Sequence, residues 1–238
     1  MMVKLLTGTI RVRQATNQKI LLFEVKLNRP FDFKAGQYVK LTLPEEKRRH
    51  EEDYRFLSMA SSPANRRLLK FAVTLRGSQF KKRIMSAGDS LSVLVEGPRG
   101  RFTLHPDPSL PAVFITDRIG ITPARSIIED ATVKGLRHRI YIFHSDNFPE
   151  ENCLYKDAVE FSRQNGNINV IPMIQQDDSA EIECESTCNY VMNRLGGDFL
   201  NSVFYVSGIP ANAVSVRNWL LDSGVNPDNI RIESFAGY

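Results

Sequence analysis

The hydrophobic pattern of the chain changes its period near residue 110, and this change constrains the fold more than any other feature. Before it, runs rich in β-branched and aromatic residues are separated by turn residues, which is typical of strands. After it, short apolar runs alternate with segments of helical periodicity. The stretch 104–111 carries three prolines and interrupts both patterns. It therefore predicts a domain boundary, with one domain at 1–106 and a second at 107–238.

The first domain is predicted to be an antiparallel β-barrel. Its candidate strands are short, partly alternating and closely spaced, which favours a closed barrel over an open sheet. One segment differs, because Phe80 and Ile84 lie four residues apart and indicate a short helix at 78–86. The candidate strands lie at 20–27, 38–43, 55–60, 68–75 and 90–97.

The second domain is predicted to be α/β with a mostly parallel sheet, because strands and helices alternate along it. Glu150 and Glu151 are expected in the first turn of a helix, where the helix dipole favours anions. Pro172 makes one of the strands imperfect. The candidate strands are 112–116, 139–144, 167–174, 202–208 and 229–235, and the candidate helices are 123–133, 150–163 and 211–224.

The charge and hydropathy of the chain exclude several classes of partner. With 31 Lys and Arg against 27 Asp and Glu, the 238 residues carry a net charge of +4 that is spread along the sequence. Nucleic-acid binders usually cluster their basic residues, so no nucleic-acid partner is expected. No apolar run approaches the roughly 18 residues of a membrane span, and the first residues form too short an apolar run for a signal peptide. We expect a cytoplasmic protein without a membrane span.

The cysteines and histidines do not form a recognisable metal site. The three cysteines, Cys153, Cys184 and Cys188, are fewer than the four thiolates that a [2Fe–2S] cluster usually needs. The four histidines show no ligand spacing. The sequence therefore predicts free thiols, no iron–sulfur cluster and no catalytic metal.

Three short segments carry residues suited to a phosphate-containing ligand. In Arg55-Phe56-Leu57-Ser58, the arginine and the leucine share one face of a strand, and a guanidinium can hold phosphate with two hydrogen bonds. In 76–80, Gly77 precedes a helix whose free backbone N–H groups attract anions. The segment 116–123 follows a strand of the α/β domain, at the edge where such sheets bind ligands. Each alone also fits an ordinary surface arginine or a strand-to-helix turn.

Longer motifs extend these segments. The first continues as Arg55-Phe56-Leu57-Ser58-Met59-Ala60-Ser61-Ser62-Pro63, similar to R-x-Y-S/T followed by I-A-S-x-P. Residues 88–102 follow G-D-x-[LV]-x-[VL]-x-G-P-x-G-x-F with one extra residue, and 119–123 match the end of G-G-x-G-I-T-P. Ser207-Gly208-Ile209-Pro210 is similar to a C/A-G-P-P turn, and Glu233-Ser234-Phe235 to E-x-F. In this order, over nearly the whole chain, the motifs resemble the ferredoxin–NADP⁺ reductase superfamily, and most closely its small single-chain bacterial members, which end in F-x-G-Y.

The resemblance implies an FAD-binding barrel followed by an NAD(P)-binding domain. The implied reaction is hydride transfer from NADH or NADPH to FAD, followed by electron transfer to a separate acceptor, for which a small redox protein is one candidate. The implied flavin-binding residues are Arg55, Phe56, Leu57, Ser58, Ala72, Val73, Thr74, Gly77, Ser78, Gln79, Phe80, Thr122 and Phe235. The implied nicotinamide nucleotide residues are Thr116, Asp117, Arg118, Gly120, Ile121, Pro123, Ser145, Asp146, Ser207 and Gly208, and the implied catalytic residues are Ser58, Thr122, Ser207 and Phe235.

Several positions depart from the superfamily's pattern. Leu57 replaces a tyrosine, so its contact with flavin is expected to be dispersive only, and Ser207 replaces a cysteine that some members have. Asp146 stands where many NADP-binding members carry an arginine, which favours NADH, although the choice between NADH and NADPH stays open. Asp117 and Arg118 replace a glycine pair, so weak nucleotide binding is expected because both side chains fill space and the carboxylate repels phosphate. Arg118 could offset this repulsion, either by pairing with Asp117 or by contacting the phosphates itself.

Two alternatives therefore remain at the level of sequence. The chain is either an NAD(P)H-dependent flavoprotein reductase or a flavin-binding redox or electron-relay module with a degenerate nucleotide site. The basic run Lys81-Lys82-Arg83 is either a docking patch for an acidic electron carrier or the solvated face of a short helix.

Overall fold

The computed structural model describes residues 3–15, 20–44, 54–74, 78–86, 91–174 and 184–235, with no side-chain description for 12–15. Gly77, the charged run at 45–53, residues 88–90 and the terminal residues 236–238 lie outside the described residues. Predictions on those positions stay predictions.

The first sheet is an antiparallel, six-stranded and nearly closed barrel. The edge strands of the order β4-β3-β6-β1-β2-β5 approach each other where the Ala60 N–H donates to the Lys70 carbonyl at 2.8 Å. The short helix α1 packs Phe80 and Ile84 into the barrel core. The predicted antiparallel barrel is therefore confirmed. Its elements are β1 (Lys4–Ala15), β2 (Ile20–Leu27), β3 (Tyr38–Thr42), β4 (Tyr54–Ser58), β5 (Leu68–Thr74), α1 (Gln79–Ser86) and β6 (Ser92–Arg99).

Strand β1 lies inside this sheet, although the sequence did not identify it as a strand. Among residues 3–11, Leu5 is exposed and only Gly8 and Ile10 are buried, so the apolar alternation is weak. Pairing with β2 on one side and β6 on the other holds β1 in place.

The second sheet is parallel, and helices cover both of its faces. The strand order is β11-β10-β7-β8-β9, and each neighbouring pair is parallel, which confirms the α/β prediction. The central strand β7 is buried at all six positions. The elements are β7 (Ala112–Asp117), α2 (Ile121–Val133), β8 (Ile140–Asp146), α3 (Cys153–Gln164), β9 (Ile168–Ile174), α4 (Cys184–Leu195), β10 (Val203–Gly208), α5 (Pro210–Asp222) and β11 (Ile230–Ser234).

Three local features differ from or explain the sequence predictions. Glu150 and Glu151 lie in a separate 3₁₀ turn, and α3 starts only after Asn152, whose side chain accepts a hydrogen bond from the Leu154 N–H. The predicted place of the two glutamates in the first turn of α3 is therefore wrong. Helix α4 was missed because its buried stripe is narrow and the other positions are mostly polar. Pro172 is tolerated because β9 is an edge strand.

Helix α2 joins the two sheets through buried hydrogen bonds. The Arg125 guanidinium donates to the Ala60 carbonyl at 2.6 Å, and the Ser126 hydroxyl donates to the Ser61 carbonyl at 2.7 Å. Arg125 also pairs with Glu129 at 2.9 Å. The loop that follows β4 is thus fixed against the start of the α/β half. In the part of the chain that the structure covers, no helix is long and apolar enough to cross a membrane.

Candidate functional site

A cleft of about 680 Å³ opens between the barrel and the parallel sheet. Strands β4 and β5 and helix α1 form one wall, while the start of α2 and the end of β11 form the other. Its volume is within the usual range of small-molecule and cofactor sites. The cleft brings together most of the residues implied for flavin binding, namely Arg55, Phe56, Leu57, Ser58, Ala72, Val73, Thr74, Thr122 and Phe235.

Of the remaining implied flavin-binding residues, Ser78, Gln79 and Phe80 lie at the start of α1 and do not line the cleft, and Gly77 lies outside the described residues. The Ser78 hydroxyl accepts a hydrogen bond from the Lys81 N–H at 3.4 Å and so caps the helix. The Phe80 side chain is fully buried in the barrel core. The Arg55 guanidinium lies 5.4 Å from the centre of the Phe80 ring and donates to the Tyr54 carbonyl at 2.6 Å. The Phe80 ring thus packs against the Arg55 guanidinium and helps to hold it in place.

Ser58 and Glu233 meet across the cleft. The Ser58 hydroxyl donates a hydrogen bond to the Glu233 carboxylate, joining the end of β4 to β11. Burial raises the pKa of Glu233 to about 7, and the hydrogen bond from Ser58 opposes this shift. A carboxyl group with such a pKa can hold or release a proton near neutral pH. Glu233 was not selected as a site residue from the sequence, and its one signal was the E-x-F motif.

We expect Glu233→Gln to change how stability depends on pH. The pKa of Glu233 is raised from an ordinary value of 4.5 to about 7 in the folded protein. The folded state therefore binds this proton more tightly, and the stabilisation is complete below pH 4.5 and lost as the pH rises to about 7. Thermal unfolding from about pH 4 to about pH 8 should show a larger loss in the unsubstituted protein than in Glu233→Gln.

A matched control for this experiment is the exposed carboxyl of Glu150. Glu150→Gln should follow the unsubstituted protein across the pH range. Parallel stability curves for Glu233→Gln and the unsubstituted protein would contradict the assigned pKa.

The residues implied for the nicotinamide nucleotide gather at the carboxyl edge of the parallel sheet. Thr116 on β7 lies beside Ser207 on β10 in the strand register, and Ser145 and Asp146 end the neighbouring strand β8. The Ser207 hydroxyl donates to the Gly120 carbonyl at 2.7 Å. A side chain on Gly120 would place its Cβ 2.3 Å from the Ser207 carbonyl oxygen, so only glycine fits there. Two further implied residues of this set, Ile121 and Pro123, are buried in the first turn of α2.

Asp117 is directed at the start of α5. Its carboxylate accepts hydrogen bonds from the Asn212 amide at 2.8 Å and from the Ile209 N–H at 3.2 Å. A Cβ on Gly208 would lie 2.3 Å from the carboxylate. Burial raises the pKa of Asp117, and the hydrogen bonds from Asn212 and Ile209 oppose this rise. Repulsion of a phosphate by Asp117 requires a carboxylate that faces the ligand, whereas in the structure this carboxylate braces the start of α5.

Asp146 is also engaged inside the protein. Its carboxylate accepts from the Asn152 amide at 3.1 Å and from the Phe148 N–H at 3.3 Å, and it lies 3.5 Å from the His144 Nε2. Burial raises the pKa of Asp146, but these partners outweigh it and the net shift is downward. Only 5% of the residue is exposed. The nucleotide contact implied for Asp146 would therefore have to compete with these partners.

The cysteines form no disulfide in the structure. Cys153, Cys184 and Cys188 are free thiols, and the sulfur atoms of the latter two lie 3.7 Å apart on α4. Among the residues that the structure describes, no group of three or more His, Cys, Asp and Glu side chains is placed to hold a metal ion.

Comparison with known proteins shows which proteins this chain resembles in sequence and in structure. No family model matches it. Over 144 residues, 59% of its length, it is 33% identical to ferredoxin–NADP reductase B of Sorangium cellulosum and spans 56% of that protein. Over 227 residues it is 24% identical to a probable flavin reductase of Vibrio harveyi, covering 89% of this chain and 91% of the relative. It superimposes on the crystal structure of a ferredoxin NADP⁺ reductase from Neisseria gonorrhoeae with bound FAD and NADP at a TM-score of 0.76, with 20% identity and coverage of 97% and 98%.

In sequence and in fold, the chain is similar to members of the ferredoxin–NADP⁺ reductase superfamily. The superfamily's G-G-x-G-I-T-P loop has glycine where this chain has Arg118. The backbone of Arg118 has a φ of +41°, in the left-handed region that glycine adopts at low cost. Arg118 thus adopts a backbone conformation that glycine favours, and the Asn152 amide donates to the Arg118 carbonyl at 3.4 Å.

Proposed function

We propose that this chain is an FAD-dependent oxidoreductase that passes a hydride from NADH or NADPH to flavin and then passes electrons to a separate acceptor. The observation that carries the proposal is the cleft between the two sheets. It places the cation Arg55 on the barrel side and the Thr122 and Glu233 side chains on the side of the parallel sheet.

The residues of the cleft fit FAD. The cations Arg55 and Lys81 lie along one part of the wall and suit a diphosphate, because guanidinium and ammonium groups form charge-assisted hydrogen bonds to phosphate. Ala72 and Val73 add apolar surface on the same side. When bound, FAD would supply the redox chemistry by accepting a hydride and releasing single electrons, while the protein positions it.

The chain's own residues would orient the flavin and move a proton. Leu57 offers an apolar side chain to the flavin ring, and Phe235 lines the opposite wall. The Thr122 hydroxyl donates to the Ile119 carbonyl at 2.6 Å, which fixes the start of α2 beside the cleft. Ser58 and Glu233 can carry a proton between them, because the hydroxyl already donates to the carboxylate.

The nicotinamide nucleotide would bind at the carboxyl edge of the parallel sheet, next to the cleft. Gly120 allows the loop to pass close to Ser207, and Ser207 stands where some members of the superfamily have a cysteine. Ligands of open α/β sheets bind outside the carboxyl ends of the strands. The acceptor is a separate molecule, for which a small redox protein is one candidate, and the cytoplasm stays the predicted compartment.

The alternative function is a flavin-binding relay module without a working nucleotide site. The observation that favours it is the loop between β7 and α2, where Asp117 and Arg118 replace two glycines of the superfamily's motif and fill space that glycine leaves open. Ordinary enzymes bind their substrates with KM values of about 1 μM to 1 mM, and a relay module would show no saturable reaction with NADH or NADPH.

The two functions differ in the reductant that bleaches the flavin. Purified protein should be yellow, and its flavin absorbance should fall within seconds when NADH or NADPH is added without oxygen. The amplitude should match that obtained with dithionite. Bleaching by dithionite alone would favour the relay module, and a protein that takes up no FAD would contradict both functions. Comparing the two nucleotides would settle the preference between NADH and NADPH.

A further inference from the structure

The basic run Lys81-Lys82-Arg83 does not form one surface. Lys82 is exposed, and the Arg83 guanidinium donates to the Pro44 carbonyl at 3.4 Å. Lys81 is only 7% exposed and lines the cleft. A docking patch built from all three cations is therefore wrong, and so is a fully solvated helix face. The question is what a buried lysine does in the cleft.

The position of Lys81 is electrostatically unfavourable for a cation in three respects. Lysine is rarely buried, because its ammonium group loses hydration. Lys81 is the third residue of α1, and the N-terminal turn of a helix disfavours positive charge. Arg55 lies close enough that, after burial itself, its charge is the second cause that lowers the pKa of Lys81. A negative ligand in the cleft would offset all three effects by its attraction to the ammonium group.

The contacts of Lys81 direct its charge toward the same part of the cleft as Arg55. The Lys81 ammonium lies 3.3 Å from the Thr74 hydroxyl, and Thr74 ends β5 at the cleft wall. Arg55 lies on β4, above the Phe80 ring that precedes Lys81. Two elements of the barrel, β4 and α1, thus each contribute one cation to a shared region.

We propose that Lys81 is a second cationic ligand of the FAD diphosphate, and that with Arg55 it makes the cleft select a dinucleotide flavin over riboflavin. The proposal rests on the proposed function, because it takes the cleft to be the flavin site. Lys81 was not among the flavin-binding residues implied by the superfamily's motifs. Its role comes from the burial and the direction of the side chain, which the sequence does not show.

The test compares the affinities of FAD and riboflavin in matched variants of the full chain. Lys81→Met keeps the length and the apolar stem of the side chain but removes its charge. We expect it to weaken FAD binding about tenfold or more, the effect of losing a charge-assisted hydrogen bond, while riboflavin affinity changes little. Lys81→Arg should restore most of the FAD affinity. Lys82→Met, on the same helix but exposed, should bind both flavins as the unsubstituted protein does. Flavin fluorescence titration measures the affinities of these three variants and of the unsubstituted protein for both flavins.

The outcomes separate this inference from the proposed function. If Lys81→Met binds FAD as tightly as the unsubstituted protein, or loses FAD and riboflavin to the same extent, Lys81 is not a diphosphate ligand although the proposed function stands. If the unsubstituted protein binds no flavin, the proposed function fails and this inference fails with it. Should Lys81→Met not fold, Lys81→Gln supplies the neutral variant, since its amide can still donate to Thr74.

Discussion

Replacing Asp117 with alanine should lower the free energy of unfolding by about 2–4 kcal/mol. The carboxylate accepts hydrogen bonds from the Asn212 amide and the Ile209 N–H, and both Asp117 and Asn212 are about 95% buried. Removing it leaves two donors without their acceptor, and each buried donor left unsatisfied costs about 1–3 kcal/mol. For a chain of this size the loss corresponds to a fall in Tm of about 4–16 °C. Thermal unfolding followed by circular dichroism measures it.

The adjacent residue provides the matched control. Arg118 has a φ of +41°, where a non-glycine residue costs about 1–2 kcal/mol and glycine does not. Arg118→Gly should therefore fold at least as stably as the unsubstituted protein, after the entropic cost of glycine of about 0.5–1 kcal/mol. Equal Tm values for Asp117→Ala and the unsubstituted protein would contradict the bracing role of the carboxylate.

The bracing role of Asp117 also determines which substitution can test the nucleotide loop. If Asp117 and Arg118 weaken nucleotide binding, replacing both with glycine should lower KM for NADH, because it removes bulk and negative charge. Since Asp117 braces α5, the double variant would lose stability as well. Its change in KM for NADH could then not be separated from its loss of stability. Arg118→Gly alone leaves the brace intact. A rise in KM for NADH in that variant would identify Arg118 as a ligand of the nucleotide.

Replacing Arg55 with alanine should weaken FAD binding about tenfold or more. The guanidinium lies in the cleft, held by the Tyr54 carbonyl and stacked above the Phe80 ring. Losing a partly buried contact between arginine and phosphate costs about 1.5–3 kcal/mol, which is roughly a ten- to hundredfold change in Kd. Dialysis followed by measurement of bound flavin gives the first readout, and titration of the flavin-free protein gives Kd.

Arg66 provides the control for this substitution. It is 54% exposed in a surface ion pair with Asp32, and such pairs contribute little to stability. Arg66→Ala should retain FAD. If Arg55→Ala retains its full complement of flavin after dialysis, Arg55 does not hold the diphosphate.

The architecture was accessible from the sequence because it depends on local patterns. Strands such as β2 and β7 are continuous or alternating apolar runs, and their periodicity is present in any short window of the sequence. The expected parallel sheet follows from the alternation of strands and helices. The carboxyl edge of that sheet then brings Thr116, Ser145 and Ser207 together.

Local patterns failed where an element depends on its neighbours. β1 has an exposed Leu5 and few buried positions, and its pairing with β2 and β6 makes it a strand. Helix α4 buries only a narrow stripe. In both cases tertiary packing compensates for a weak local signal, as it commonly does for marginal helices and strands.

The sequence by itself determined most of the elements, their order, and which residue types are available at the cleft and at the sheet edge. The tertiary structure decided what those residues do, because the direction and hydration of a side chain depend on atoms far away in the chain. Ser58 meets Glu233 across 175 positions, and burial there raises the pKa of the carboxyl to about 7. Asp117 turns toward Asn212, 95 positions away. Lys81 belongs to a basic run in the sequence, but its side chain lies in the cleft and is buried by the packing of the barrel.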